Sequence, residues 1–418
     1  MTDEEGLTNR AESHDDEHRY VTPAFESRRV TGRSPGDPEK EHDMIRADVI
    51  LEDTTLRDGE QSPGVAFNKR TKIDIFDLLV EAGVTWVEAG IPVMGGEELD
   101  TMKAIAERCP RGVTAVAWNR GVRADVAQSL DLGFKAVHMG LPTSELHLKD
   151  SIHRDRKWLL TQVADLIKYA KDRGAYVSVS AEDVARTDVP FLQEYAGWVH
   201  EAGADRLRMS DTIGILGPEQ YAERIAAVRS AAPIDLMCHA HNDMGLATAN
   251  TLAGLEAGAR HFHVTINGIG ERAGMSDIAQ MVFALKIIHG IDLGIKGSTL
   301  KKLSNLVASA TKAPVPPWHP IVGGNVFTHE SGIHVNGMLK NSKAFEPISP
   351  DEVGESRRYV LGKHSGRANV RHALEQEGVE PREEHVQACL DLVRAASIAR
   401  GGAVSSSDLL GMYRGLAG

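Results

Sequence analysis

Cysteine is scarce in this chain. The three present (Cys109, Cys238 and Cys389) are far apart and form no CxxC pair. That excludes a disulfide framework and suits a reducing cytoplasm, with each thiol read as a small core residue. An excess of positive charge is also missing. Lys and Arg number 47 against 59 Asp and Glu, a net charge of -12. This balance argues against a nucleic-acid partner and favours a soluble enzyme or scaffold. No stretch reaches the ~18 uninterrupted apolar residues of a membrane helix, so no membrane partner is expected. The opening MTDEEGLTNRAESHDDEHRY has neither a basic n-region nor an apolar h-region. No secretory signal is expected there, and a cytoplasmic location is.

What is present is ordinary globular material, with 42% hydrophobic and 25% charged residues in 418. The length fits two or three domains, or one large barrel with an appendage. Residues 1–45 are polar and charge-rich and read as a disordered extension. From Val49 onward short apolar runs alternate with amphipathic helical stretches. Candidate strands are Val49–Asp53, Trp86–Ala89, Thr114–Trp118, Ala136–Leu141, Tyr176–Ala181, Arg206–Ser210, Asp235–His239 and His261–Ile266. Helical runs such as TKIDIFDLLVEAG and DRKWLLTQVADLIKYAKDRG lie between them and end in Gly, a common helix stop. Eight β-then-α units over residues 46–290 predict an α/β fold, a closed (β/α)8 TIM barrel. The rival is an open doubly wound sheet, but no GxGxxG turn follows the first strand. Residues 291–418 open with a Pro-rich linker, KAPVPPWHPIVGG, pass through a loop-rich segment with THESGIH, and end in two or three helices.

In such a barrel the chemistry sits at the C-terminal ends of the strands. Those ends read DTTLRDGEQ, SAED, SDT, HAHND and INGIGERAG, so polar residues converge on one rim. His239 and His241 are two apart, and on a strand such residues share a face. Two imidazoles aimed into the mouth can bind one cation. Asp58 can add an anionic oxygen and Asn267 a neutral one. That open donor set suits Mn, Mg, Fe or Zn alike, and Lewis-acid work on a substrate carbonyl. Arg57 either clamps a carboxylate or polarises a developing enolate, or else pairs with a neighbouring acid. Glu182 is a candidate general acid/base. Gln61 and Ser180 lie on the same rim as candidate substrate contacts. His334 lies beyond the barrel units and can act only if its segment folds over a mouth, its own or a partner subunit's.

These motifs resemble the 2-isopropylmalate/homocitrate synthase family of the DRE-TIM metallolyases. LRDGEQ followed ten residues later by Lys72 is similar to its first signature, and LMCHAHNDMGLATA to its second. GIPVMGGEE, AEDVARTD, SDTIGIL, VFTHESGIHVNGMLK and LGKHSG are most similar to the nitrogen-fixation type of homocitrate synthase. The likeness spans residues 48–418. It implies a Claisen condensation of acetyl-CoA with a 2-oxo acid, followed by thioester hydrolysis. It implies Asp58, His239 and His241 as ligands of a divalent metal (Mn, Mg or Zn), with Asn267 or water completing the shell. It further implies charge stabilisation by Arg57, proton transfer by Glu182 and His334, and carboxylate binding by Thr212. His334 would come from the other subunit of a homodimer. No C-terminal regulatory domain like that of the leucine-pathway enzymes is recognisable, so leucine feedback is not expected.

Three departures bear on the acceptor. Phe345 stands where the family commonly has a Tyr, Met275 follows GERAG in place of Asn, and Ser178 occupies a position where lysine-pathway enzymes place an Arg. The default acceptor is 2-oxoglutarate, giving homocitrate. The alternative is phosphonopyruvate, giving 2-phosphonomethylmalate. A CoA-thioester lyase or biotin-dependent transcarboxylase of the same barrel is a further reading. The lyase would carry a Cys in the Gly-rich mouth loop, and NGIGERAG has none; the transcarboxylase would need a carboxybiotin partner domain. A non-catalytic scaffold is the last, motivated by Phe345.

Overall fold

The computed structural model describes residues 44–417. The extension expected over residues 1–45 therefore lies outside the described residues, except for Met44 and Ile45. Ile45 is already buried against the core.

Eight parallel strands close into a barrel in sequence order: β1 (Ile50–Asp53), β2 (Trp86–Gly90), β3 (Thr114–Arg120), β4 (Ala136–Gly140), β5 (Tyr176–Glu182), β6 (Arg206–Asp211), β7 (Asp235–Ala240) and β8 (His261–Val264). Each begins within one residue of the strand expected from sequence. The open-sheet rival is thereby excluded, since β8 pairs back onto β1. The helices that follow the strands are α1 (Lys69–Ala82), α2 (Gly96–Arg108), α3 (Arg123–Asp131), α4 (Arg156–Asp172), α5 (Val189–Glu201), α6 (Pro218–Ala231), α7 (Ala247–Glu256) and α8 (Ile278–Ile288). Their starts are fixed locally. Asn68, Asp155, Asp188 and Asp277 each accept a backbone N–H of the first turn of α1, α4, α5 and α8, a cap worth about 1 kcal/mol.

The strands divide their residues by alternation. Val177 and Val179 on β5, Leu207 and Met209 on β6, and Phe262 and Val264 on β8 are fully buried in the layer under the helices. Each such side chain contributes about 1.5–3 kcal/mol of hydrophobic burial. The other face points down the barrel axis, where branched aliphatic residues usually fill the space. Here that space holds Glu52, Glu88, His138, Arg206, Arg208 and His263, all buried.

The apolar core does not stop at Gly290. Helix α9 (Leu300–Thr311) packs on α1, and Leu303, Val307, Val322 and Phe327 belong to the same core as the barrel. The Pro-rich segment is irregular, as a linker should be, yet it is pinned there by Val322. Beyond it come a short parallel pair, β9 (Thr328–His329) and β10 (Arg358–Tyr359), and helix α10 (Gly332–Lys340). Three helices follow: α11 (Arg367–Gln376), α12 (Glu383–Arg400) and α13 (Ser406–Ala417). They enclose a second core of Leu361, Leu374, Val386, Leu390, Val393 and Leu409. Among the described residues no helix is long and apolar enough to cross a membrane.

Candidate functional site

The loop after β1 carries Arg57, Asp58 and Gln61 over the C-terminal mouth of the barrel. Lys72 on α1 explains why that loop stays put. Its side chain is 1% exposed, and its Nζ donates to Glu60 Oε2 at 2.8 Å and Glu98 Oε2 at 2.7 Å. Glu60 in turn accepts the Phe67 N–H, and Glu98 accepts the Ile91 N–H. One buried cation thus ties the β1 loop to the start of α2, which gives the LRDGEQ-to-Lys72 spacing a physical reason.

Asp58 meets the two histidines of β7's end. Its Oδ2 lies 3.6 Å from His239 Nε2 and 3.9 Å from His241 Nε2. The donor atoms of this trio all fall within 4.8 Å of one another. A divalent ion held at ~2.1 Å would space its donors about 3.0–3.4 Å apart, so the two Asp58–histidine pairs would draw in by up to about an ångström around it. Burial, and then the neighbouring His263, holds His239 well below the usual histidine range, and burial lowers His241 as well. Both imidazoles are neutral at pH 7, as metal ligands must be. Burial pushes Asp58 up, but Arg57 and His241 outweigh it and keep the carboxyl ionised.

Arg57 is locked from two sides. Its Nε donates to Glu88 Oε2 at 2.5 Å, and its Nη1 donates to Asp58 Oδ2 at 2.8 Å and Gln61 Oε1 at 3.2 Å. The guanidinium also lies 5.8 Å from the Trp118 ring centroid. The pairing with acids weighed from sequence is therefore present, with Glu88 on one side of the guanidinium and Asp58 on the other. Glu182 ends β5 nearby. Gly140 on β4 makes room for it: a Cβ there would stand 2.7 Å from Glu182 Oε1 and 2.5 Å from Trp118 Cζ2. Burial raises the Glu182 carboxyl above its ordinary value, with Arg57 and Arg208 offsetting part of the shift.

Other expected residues sit elsewhere. Asn267, expected to complete the metal shell, follows β8 with its Oδ1 buried and without a hydrogen-bond partner among the described residues. Its backbone is left-handed (φ 60°) and its amide N–H donates to the Ser304 carbonyl on α9 at 2.9 Å. Met275 is the residue beside the ligands. It bridges His241 through the backbone, and a Cβ on Gly270 would touch both Met275 Cγ (3.3 Å) and Asp58 Oδ1 (3.1 Å). Ser180 is buried beneath the mouth, 2.7 Å from His138 Nε2. Thr212 accepts the Asp183 N–H at 2.8 Å, so its hydroxyl is engaged by the rim loops. His334 is exposed on α10, and its ring stacks on Phe345 with centroids 4.3 Å apart and planes at 27°.

The sequence reading missed what lies below the trio. His239 Nδ1 is 2.8 Å from His263 Nδ1, and His263 Nε2 is 3.0 Å from Glu52 Oε1. Glu52 Oε2 accepts from Arg206 Nη1 at 2.7 Å. Glu88 Oε1 accepts from Arg208 Nη2 at 2.5 Å. Burial opposes ionisation of both acids, but Arg206 and His263 bring Glu52 down to about 2, and Arg208 and Arg57 bring Glu88 well below its usual range. A signal was available: Arg206 and Arg208 alternate within β6 as His261 and His263 do within β8, on the faces that also carry the strand-end residues.

The HMGL-like family model matches residues 48–307. The chain belongs to the HMGL-like family. Residues 321–400 of this HMGL-like chain match a second model, described as homocitrate synthase post-HMGL domain-like. The chain is 64% identical to the 2-phosphonomethylmalate synthase of Streptomyces rubellomurinus over 369 residues, 88% of this chain and 99% of that one. It is 43% identical to homocitrate synthase 1 of Nostoc sp. over 368 residues, 88% of this chain and 97% of the relative. Among solved structures, the hydroxymethylglutaryl-CoA lyase of Pseudomonas aeruginosa superposes with a TM-score of 0.59 at 22% identity, over 64% of this chain and 98% of the lyase. That last likeness is one of fold. The family expected from the two signatures is thus the family found.

Proposed function

We propose that this protein is a divalent-metal-dependent synthase that joins acetyl-CoA to phosphonopyruvate, giving 2-phosphonomethylmalate and free CoA. The reaction class is carried by one observation: Asp58, His239 and His241 converge with two neutral imidazoles, beside an arginine that is already oriented. The acceptor is supported by the 64% identity to a 2-phosphonomethylmalate synthase, against 43% to a homocitrate synthase. The default acceptor, 2-oxoglutarate, yields to that alternative. The lyase reading finds no support at the mouth, because the loop Gly268–Met275 carries no thiol.

Asp58, His239 and His241 would hold the ion, which when bound supplies Lewis acidity to the acceptor's 2-oxo group. The remaining work falls to side chains. Glu182, its carboxylate destabilised by burial, takes a proton from the acetyl methyl. The resulting carbon forms a bond to the acceptor's carbonyl carbon, and the carbonyl oxygen becomes an alkoxide and then a hydroxyl. Arg57, held by Glu88 and Asp58, faces that developing charge and needs no reorganisation. Water then cleaves the thioester and CoA leaves as the thiol. Gln61 shares Arg57 and reaches the same space, while Ser180 and Thr212 shape the floor and the rim.

His334 completes proton transfer from a second copy of the chain in a homodimer. Its exposure on α10, next to Ile333 (79% exposed), Leu339 (44%) and Phe345 (41%), supports an apolar surface that is covered in the assembly. In this division of labour residues 46–290 are the catalytic barrel, and residues 291–418 carry the lid segment and the helical subdomain. The ion is Mn, Mg or Zn, and the enzyme works in the cytoplasm. Steady-state kinetics with phosphonopyruvate and 2-oxoglutarate test the acceptor. A kcat/KM at least tenfold higher for phosphonopyruvate is expected, and a preference for 2-oxoglutarate would overturn it.

A further inference from the structure

We infer that His263 and Glu52 are positioning residues that fix which nitrogen of His239 carries its proton, leaving Nε2 as a bare donor toward the mouth. This rests on reading Asp58, His239 and His241 as a metal site. Glu52 and His263 are direct partners on adjacent strands β1 and β8, both facing the axis. Both are 0% exposed, so bulk solvent does not compete for their hydrogen bonds.

The contacts favour one proton arrangement over its reverse, in which an unprotonated His263 Nε2 would face the Glu52 carboxylate at 3.0 Å and take only the longer Arg208 contact at 3.4 Å. Glu52 is a carboxylate paired with Arg206 at 2.7 Å, so it accepts from His263 Nε2 at 3.0 Å. The single proton of a neutral His263 is therefore on Nε2. A second proton would place an imidazolium 3.4 Å from the Arg208 guanidinium inside a closed barrel. His263 Nδ1 is then an acceptor, and it lies 2.8 Å from His239 Nδ1. His239 must donate from Nδ1, and its Nε2, which faces Asp58 at 3.6 Å, keeps its lone pair. Ligating histidines commonly donate their other N–H to a carboxylate or carbonyl. Here the carboxylate acts at one remove, through a second imidazole. The three-residue chain also explains why a barrel axis would hold a buried Glu that touches neither the mouth nor solvent.

The test uses full-length protein, stripped of metal and titrated with Mn2+. Long-range 1H–15N correlation spectra of the apo wild type read the tautomer directly, and Nδ1–H with an unprotonated Nε2 is expected for His239. His263→Phe keeps a flat ring but offers no acceptor, and its Mn2+ affinity is expected to fall roughly 10- to 100-fold. His263→Gln supplies an amide oxygen for His239 and an amide N–H for Glu52, and is expected to recover part of that loss. A merely structural role would not move the His239 tautomer. A proton on His239 Nε2 in the wild type overturns the inference, and so does a folded His263→Phe variant with Mn2+ affinity within twofold of wild type. If that variant does not fold, the wild-type spectrum decides alone. Failure of the wild type to bind Mn2+ would overturn the metal reading beneath the inference as well, whereas the other outcomes leave that reading standing.

Discussion

Glu88 holds two arginines at once, and replacing it tests whether the polar barrel axis is a balanced network. Its Oε1 accepts from Arg208, and its Oε2 accepts from Arg57 and from the Thr54 hydroxyl at 2.7 Å. Three acids (Glu52, Asp58, Glu88) face three arginines (Arg57, Arg206, Arg208), all at most 7% exposed. Glu88→Gln preserves shape but leaves one oxygen for three donors and an uncompensated positive charge. Breaking a buried pair costs about 3–5 kcal/mol, because the remaining charge stays desolvated. At roughly 2 °C per kcal/mol for a large domain, Tm should fall by roughly 6–10 °C. Turnover should fall too, because Arg57 loses the partner that aims it. Combining Glu88→Gln with Arg208→Met restores two acids against two cations. The pair should be at least ~1 kcal/mol more stable than the sum of the single changes predicts. Differential scanning calorimetry and urea melts followed by circular dichroism read both quantities. A loss below ~1 kcal/mol in the single variant, or strict additivity in the pair, would refute the balanced-network argument.

Removing a ligand should open the site without opening the core: His239→Ala is expected to abolish Mn2+ binding and CoA release while Tm shifts little, as calorimetry and metal titration will show. Glu182→Gln should lower kcat by roughly 10²–10⁴ with Mn2+ affinity unchanged, which separates proton transfer from metal holding in stopped-flow and binding data. Asp53 is buried without a cation and its carboxyl is pushed up to about 7. A raised carboxyl lends its stability below the ordinary value near 4 and loses it as pH rises through 7. Asp53→Asn should therefore show a smaller drop in Tm between pH 5 and pH 8 than wild type, and an equal drop would contradict the assignment. Phe345→Ala unstacks His334 and should reduce turnover while leaving Mn2+ affinity intact; parallel losses of both would place Phe345 in the metal site instead.

Much of this was legible from residues alone. The strands announced themselves because each apolar run is short and is followed by a helical repeat, so eight starts could be counted. Asp58, His239 and His241 could be joined because strand ends in a barrel share one rim. The interior was harder. Glu52, Glu88, Arg206, Arg208 and His263 alternate with apolar residues, and alternation says which residues share a face without saying that the face is charged and sealed. The conformation of Asn267 was not legible either: its left-handed backbone and its amide N–H bond to α9 are features that the motif NGIGERAG does not advertise. That α9, outside the eight-unit repeat, shares the barrel's apolar layer could not be counted from the repeat. His334 could not be connected to a mouth from one chain, and in the structure it remains on an exposed helix face.

The central claim is metal-dependent condensation, and thiol release tests it most directly. Purified protein is stripped of metal and given acetyl-CoA with phosphonopyruvate, 2-oxoglutarate, oxaloacetate, pyruvate or 2-oxoisovalerate, with and without Mn2+ or Mg2+. The account predicts CoA release that needs both the ion and an acceptor, and is fastest with phosphonopyruvate. Release at equal rate without a metal, or none with any acceptor in folded, metal-loaded protein, would contradict it.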